Sequence, residues 1–347
     1  MNNDELYMQR CLHLASLGFG YTRPNPMVGA VIVHQHRIIG EGFHHRAGES
    51  HAEINALASV KDRELLSKST LYVNLEPCSH YGKTPPCSEA VIRAGIPSVV
   101  IGTPDSDLRV AGNGIKRLKE SGLEVRTGIL ARECRELNKR FFAFHEQQRP
   151  YVILKWAQSK DGFLDHERTS AQTPPARITH THWDILVHQW RTREDAILVG
   201  TNTALMDNPR LSARLWKGKQ PLRLVLDREL KLTEKHHLLD RTQSTLVFNA
   251  LRNEKKENIE LKQLTFDGTL APLLAELYSR QVQSLIVEGG ALLLQSFLRE
   301  GCWDEARVFT GTTLFGNGPK APVPAGIHAA ESSWAGQTLQ IYRNEAV

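Results

Sequence analysis

Apolar positions recur at helical spacing over residues 4–17, where Met8, Cys11, Leu12 and Ala15 fall on one face. Two apolar runs, 27–33 and 37–43, are split by His34-Gln35-His36 and predict a β-hairpin. Between helix and hairpin, glycines and prolines mark a loop in which Asn25 is held between Pro24 and Pro26. His44 follows the second strand directly. A helix then opens at His51, with Ser50 as its N-cap. Residues 70–75 predict a strand that ends at Glu76-Pro77-Cys78, and Pro85-Pro86 begins another helix with Cys87 in its first turn. Strand and helix continue to alternate over 98–102, 115–120 and 123–127. A single closing helix over 130–144 carries the stripe Leu130, Cys134, Leu137 and Phe141. The pattern is that of an α/β sandwich with helices on both faces of the sheet.

The polar run 145–150 ends at Pro150 and separates two domains, 1–147 and 150–347. Strands are predicted in the second at 151–157, 195–200, 222–227, 245–249 and 284–288. On the first of these, Lys155, Ala157 and Ser159 are two apart and share a face. The last runs through Gly289-Gly290 into a helix over 291–298, where backbone N–H groups can approach a phosphate at the positive helix end. There is no G-x-G-x-x-G after a first strand, so the dinucleotide fingerprint is missing. Gly316-Asn317-Gly318-Pro319 reads as a turn.

Composition adds limits. A net charge of +5 over 347 residues, without a basic tract, argues only weakly for nucleic acid, and an acidic small molecule such as a phosphate ester is as good a partner. The N-terminal residues have neither a basic nor an apolar region of the signal-peptide kind, and no apolar run reaches membrane-spanning length. Of five cysteines, Cys11, Cys134 and Cys302 are isolated and read as reduced residues, which places the chain in the cytoplasm.

The chemistry concentrates at His51-Ala52-Glu53, Pro77-Cys78 and Cys87. One imidazole and two thiolates suit a single Zn²⁺, and three protein ligands leave the fourth position for a water of lowered pKa. A glutamate two residues after the His can carry that water's protons. H-x-E followed by P-C and a second Cys is the zinc-deaminase arrangement. Eight residues separate the cysteines here, where nucleoside deaminases have two, and the longer loop would line a pocket for a larger substrate. A structural zinc would need a fourth ligand, for which His44 and His80 are the candidates.

Several runs resemble the bifunctional riboflavin-biosynthesis deaminase–reductases of bacteria. They are Thr22-Arg23-Pro24-Asn25-Pro26-Met27-Val28-Gly29, His51-Ala52-Glu53, the whole stretch Leu75 to Cys87, the Lys155 to Gly162 pattern, Val199-Gly200-x-x-Thr203-x-x-x-Asp207-Asn208-Pro209-x-Leu211-x-x-Arg214, and Val287-Glu288-Gly289-Gly290. The resemblance covers essentially the whole chain. It implies a cytidine-deaminase-like α/β/α sandwich followed by a dihydrofolate-reductase-like α/β domain. It also implies a zinc hydrolase and an NADPH-dependent oxidoreductase acting in sequence on a phosphorylated pyrimidine. In that pattern Glu53 is the acid/base, His51, Cys78 and Cys87 hold zinc, and Asn25 and His44 hold the deaminase substrate. Arg191, Asp207, Leu211, Arg214 and Glu288 bind the reductase substrate, with Lys155 beside the reacting sugar. Ala157, Arg177, Thr203 and Gly290 contact NADPH. The family association is a homo-oligomer, a dimer or larger, with no nucleic-acid or membrane partner. Two departures stand out. Arg177-Ile178-Thr179 replaces the family's Trp-Ile-Thr after a Gly/Ser-rich loop, and Asp105-Ser106-Asp107 replaces an Asp-Pro-Asn-Pro run away from the zinc.

Overall fold

A computed structural model describes residues 2–81, 85–107 and 110–344. The chain divides into two compact units, Met1–Gln148 and Arg149–Val347.

In the first unit, α1 (Asn3–Ser16) leads into strands β1 (Gly29–His34) and β2 (Arg37–Phe43), then α2 (Ala52–Ser59) and β3 (Thr70–Leu75). Helix α3 (Cys87–Arg93), β4 (Ser98–Thr103), α4 (Asn113–Glu120), β5 (Glu124–Thr127), α5 (Ala131–Leu137) and α6 (Lys139–Gln147) follow. The sheet order is β2-β1-β3-β4-β5, with β1 antiparallel to β2 and β3, and β3 to β5 parallel. Alternate residues of the central strands face opposite layers, as the two-residue period requires. Ala30, Ile32, Leu71, Val73, Val99 and Ile101 pack with Ala52, Ala56, Val91 and Leu118 from α2, α3 and α4. Val31, Val33, Tyr72 and Val100 pack with Tyr7, Met8, Cys11 and Leu14 of α1 and Cys134 of α5.

Two expectations need correcting. The N-cap of α2 is His51 rather than Ser50, and its side chain makes no capping bond because it turns toward the cysteines. The closing helix is two helices broken at Asn138, whose φ of −103° and ψ of 21° leave the helical region. Asn138 uses its amide elsewhere: Oδ1 accepts from the Met27 N–H at 2.8 Å, and Nδ2 donates to the Met27 carbonyl at 2.8 Å.

In the second unit, β6 (Tyr151–Gln158), α7 (Thr181–Arg193), β7 (Ala196–Gly200), α8 (Thr201–Asp207) and β8 (Leu222–Leu226) are followed by β9 (Thr245–Asn249), β10 (Glu254–Lys256) and β11 (Ile259–Gln263). Then come α9 (Ala271–Ser279), β12 (Ser284–Glu288), α10 (Ala291–Arg299), β13 (Glu305–Thr310), β14 (Ile327–Trp334) and β15 (Gln337–Arg343). The sheet runs β10-β11-β9-β8-β7-β12-β6-β13-β15-β14, parallel from β11 through β13. One face packs on α9 and α10 through Leu154, Leu198, Leu246, Val287, Leu273, Leu277, Leu294 and Phe297. Strand β13 escapes the hydrophobic pattern because it buries charge: Arg307 Nε donates to Glu305 at 2.6 Å, and its guanidinium lies 4.3 Å from the Trp190 ring. Strand β14 escapes it because every residue is exposed, so neither face is selected for apolar side chains. No helix among the described residues is long and apolar enough to cross a membrane.

Candidate active sites

Three chain segments converge on the first site. His51 caps α2, Cys78 stands just past the end of β3, and Cys87 opens α3. His51 Nδ1 is 3.6 Å from Cys78 Sγ and 3.3 Å from Cys87 Sγ, and all three donor atoms lie within 4.8 Å of one another. Cys78 Sγ also accepts the Cys87 backbone N–H at 3.3 Å. The bond from the Cys87 thiol, together with His51, pulls Cys78 down to about 4 against the effect of burial. Neighbouring Cys78 and burial push the Cys87 thiol up. A borderline-soft donor set of one imidazole and two sulfurs, part-buried and held in one cluster, fits Zn²⁺.

Among the described residues nothing adds a fourth protein ligand to this cluster. His80 is exposed. Both nitrogens of buried His44 are engaged: Nδ1–H donates to the Ser50 carbonyl at 3.0 Å, so Nε2 accepts from the Asn25 amide at 3.1 Å. Burial lowers the His44 pKa, which keeps that ring neutral. The His44 ring meets His51 edge-on with centroids 5.2 Å apart, so Asn25 and His44 stand together beside the cluster. Glu53, in the first turn of α2, is 3% exposed. Burial pushes its carboxyl up to about 7, Cys78 adds to the rise, and His51 offsets part of it. Gly82, Lys83 and Thr84, in the long loop between the cysteines, lie outside the described residues.

The second unit contains a cavity of about 1110 Å³ at the C-terminal ends of β6, β7 and β12. Lys155, Ala157, Arg177, Arg191, Thr203, Asp207, Leu211, Glu288 and Gly290 all line it. Glu288 joins two of its cations. Arg191 donates to it twice, Nε to Oε1 at 3.2 Å and an outer nitrogen to Oε2 at 2.7 Å, while Lys155 Nζ is 4.0 Å away. Burial raises the Glu288 carboxyl, but Arg191 and Lys155 outweigh it and hold the group at about 2. Helices α8 and α10 begin side by side here. Their N-caps, Gly200 and Gly290, have no side-chain cap, and the Gly290 N–H donates to Thr203 Oγ1 at 2.9 Å. An anionic ligand at these two positive helix ends is electrostatically favoured.

Two sequence expectations have no counterpart in this wall. Arg214 is exposed and does not line the cavity; its charge reaches buried His188, which burial, Arg191 and Arg214 lower to about 4. Ser159 leaves the face shared by Lys155 and Ala157, because β6 ends at Gln158. Its hydroxyl instead donates to Asp161 at 2.6 Å and accepts the Phe163 N–H at 2.9 Å.

Residues 150–340 match the RibD C-terminal domain, and residues 1–103 match the zinc-binding region of cytidine and deoxycytidylate deaminases. The riboflavin biosynthesis protein RibD of Aquifex aeolicus is 40% identical over 321 residues, 91% of this chain and 88% of that protein. The chain belongs to the RibD family. Its fold follows that of a diaminohydroxyphosphoribosylaminopyrimidine deaminase/5-amino-6-(5-phosphoribosylamino)uracil reductase from Thermotoga maritima, with a TM-score of 0.88, 35% identity and 99% of each chain covered. It likewise follows Acinetobacter baumannii RibD, with a TM-score of 0.87, 31% identity and 98% of each chain covered. As a member of the RibD family the chain is a bifunctional enzyme of riboflavin biosynthesis, with a deaminase domain of α/β/α sandwich type and a dihydrofolate-reductase-like domain.

Sequence reasoning missed one residue of the RibD deaminase domain, Glu76. It is 4% exposed and immediately precedes Pro77-Cys78. Its Oε2 accepts the Asp105 and Gly112 N–H groups at 3.1 and 3.0 Å, and its Oε1 accepts that of Ile115 at 3.0 Å. A carboxylate that ties Asp105 to Gly112 and Ile115 at the start of α4 fixes the backbone just before Cys78. The Asp105-Ser106-Asp107 departure therefore stays off the cysteines but does reach this brace. Glu76→Gln turns an amide NH₂ toward one of those donors and should cost about 1–3 kcal/mol. The expected result is that heating destroys deamination at a lower temperature than in the unaltered chain while reduction survives as before; equal inactivation temperatures would rule the brace out.

Glu288 gives a second stability prediction. Glu288→Gln leaves Arg191 and Lys155 as uncompensated partly buried cations, a loss of about 3–5 kcal/mol. The sign of the pH effect follows from a carboxyl lowered from 4.5 to about 2. Its stabilisation is complete above the unfolded value and disappears as pH falls toward 2. Unfolding of this unit should therefore lose less stability between pH 5 and 3 in the variant. All six tryptophans lie beyond residue 150, so tryptophan fluorescence reports this unit alone. Parallel pH curves for the two proteins would contradict the assignment.

Proposed function

We propose that the first unit removes the amino group of 2,5-diamino-6-(5-phosphoribosylamino)pyrimidin-4-one by hydrolysis, and that the second reduces the ribosyl chain of the product to ribityl with NADPH, giving 5-amino-6-(5-phosphoribitylamino)uracil. The observation that carries the first step is a buried glutamate in the first turn of α2, two residues from His51, which belongs to a His/Cys/Cys cluster that could hold a metal.

His51, Cys78 and Cys87 would hold zinc, which when bound lowers the pKa of a water and so supplies a nucleophile at neutral pH. Glu53 would take one proton from that water and pass it to the ring nitrogen, then carry the second from the attacking oxygen to the leaving amine, so that oxygen stays on the ring and ammonia departs. Asn25 and His44 orient the pyrimidine. The His44 ring is fixed by the Ser50 carbonyl, which supports Asn25 as its rigid partner.

In the second unit NADPH supplies the hydride. Glu288 holds Arg191 and Lys155 in place, with Lys155 beside the reacting sugar. Arg191, Asp207, Leu211 and Glu288 form the substrate side. Ala157, Arg177, Thr203 and Gly290 form the cofactor side, where the paired helix starts suit phosphate. We assign the deaminase to 1–147 and the reductase to 150–347. A homo-oligomer and a cytoplasmic location complete the reading; the five free cysteines support the second.

Titration with NADPH, followed by quenching of tryptophan fluorescence, tests the cofactor side. Saturable quenching is expected; NADPH that leaves the emission unchanged and supports no reduction would contradict it.

A further inference from the structure

One wall of the cavity of the second unit carries Arg177 and Asp207 on segments whose anchoring the assigned residues do not explain. Residues 164–168 and 175–179 line it from one segment, and Met206 and Asp207 line it from the end of α8. Arg168 joins them. Its Nε lies 2.5 Å from the Asp165 carboxylate. One terminal nitrogen donates to the Thr173 carbonyl at 3.0 Å and to the Met206 carbonyl at 3.3 Å, and the other pairs with Asp207. Asp165 in turn accepts the Ala176 N–H at 2.9 Å.

We propose that Arg168 is a positioning residue of the reductase, latching the 165–176 segment onto the C-terminal end of α8 and holding the Asp207 carboxylate in the cavity wall. This rests on the reductase reading given above. Three observations carry it. The side chain is 8% exposed although it is a guanidinium on an irregular segment, so it is built in and not solvated. All three of its nitrogens are engaged, two of them on carboxylates and one on two carbonyls, a pattern that needs a planar fork and that a lysine ammonium cannot span. Finally, Asp165 and Asp207 both face a cavity assigned to phosphate-bearing ligands. Arg168 offsets their charge, and it stands at a helix C-terminus, where a cation is favoured. The segment it secures ends at Ala176, directly before the Arg177-Ile178-Thr179 that departs from the family run, so the chain entering the departure is braced.

The test uses the full zinc-loaded chain with Arg168→Gln, Arg168→Lys and Asp207→Asn. The expected result is a rise of about tenfold or more in the reductase KM for NADPH and for deaminated substrate in both Arg168 variants, with kcat within about threefold. Deamination, carried by the other unit, should be unchanged. In the Asp207→Asn background, Arg168→Gln should add less than its single effect, since both act on one carboxylate. Wild-type KM in Arg168→Lys, a fall in kcat alone, or independent multiplication of the two effects would overturn the proposal. Arg168→Lys and Asp207→Asn answer the question even where Arg168→Gln does not fold. An unaltered chain that reduces nothing with NADPH would contradict the reductase reading itself, whereas active wild type with unaffected variants contradicts only the role of Arg168.

Discussion

Replacing Glu53 by glutamine should lower the deamination rate about 10³-fold and leave reduction of supplied deaminated substrate at its original rate. Glutamine keeps the size of the side chain and its place in the first turn of α2, so the packing that buries Glu53 is preserved. What disappears is a carboxylate that can accept and return a proton. Because the three metal-binding side chains are unaltered, zinc content should stay at one per chain, measurable by elemental analysis. Loss of both activities in a folded, zinc-loaded variant would contradict the two-site account. Full deamination in the variant would remove Glu53 from the chemistry.

The second large effect concerns the ligands. Cys87→Ser replaces a soft thiolate at the start of α3 with a hydroxyl that binds zinc poorly. Zinc should be lost and deamination should fall to the level of a blank. Chelation of the unaltered chain should give the same result, reversed by added zinc. Reduction should continue in both cases, since the charged cavity around Glu288 lies among residues of the other unit and contains no part of the cluster. Deamination that persists after measured zinc removal would refute the metal-dependent reading.

The contrast between these residues and Arg168 shows where the sequence is informative. His51, Glu53, Cys78 and Cys87 are legible because each brings a residue type with few other uses, at a spacing the chemistry demands. Lys155 and Ala157 are legible through the two-residue period of a strand, and the same period misplaces Ser159 because it continues past the point where β6 ends. Arg168 and Glu76 look like ordinary surface charges in the sequence. Beside Asp165 and Thr173, which are near Arg168 in the chain, their partners lie 29 to 39 residues away, such as Asp105 and Ile115 for Glu76 and Asp207 for Arg168. The break at Asn138 depends on a partner still farther off, Met27, 111 residues earlier. No local pattern contains these pairings; the fold creates them. Arg214 shows the converse, a motif position that the structure keeps exposed and off the cavity wall.

Mass spectrometry of 2,5-diamino-6-(5-phosphoribosylamino)pyrimidin-4-one after incubation with the zinc-loaded chain, with and without NADPH, tests the central claim most directly. The account predicts exchange of an amino group for oxygen without the cofactor, and a further gain of two hydrogens only when NADPH is present. Deamination with no hydrogen gain on a folded sample would contradict the claim that one chain carries both steps.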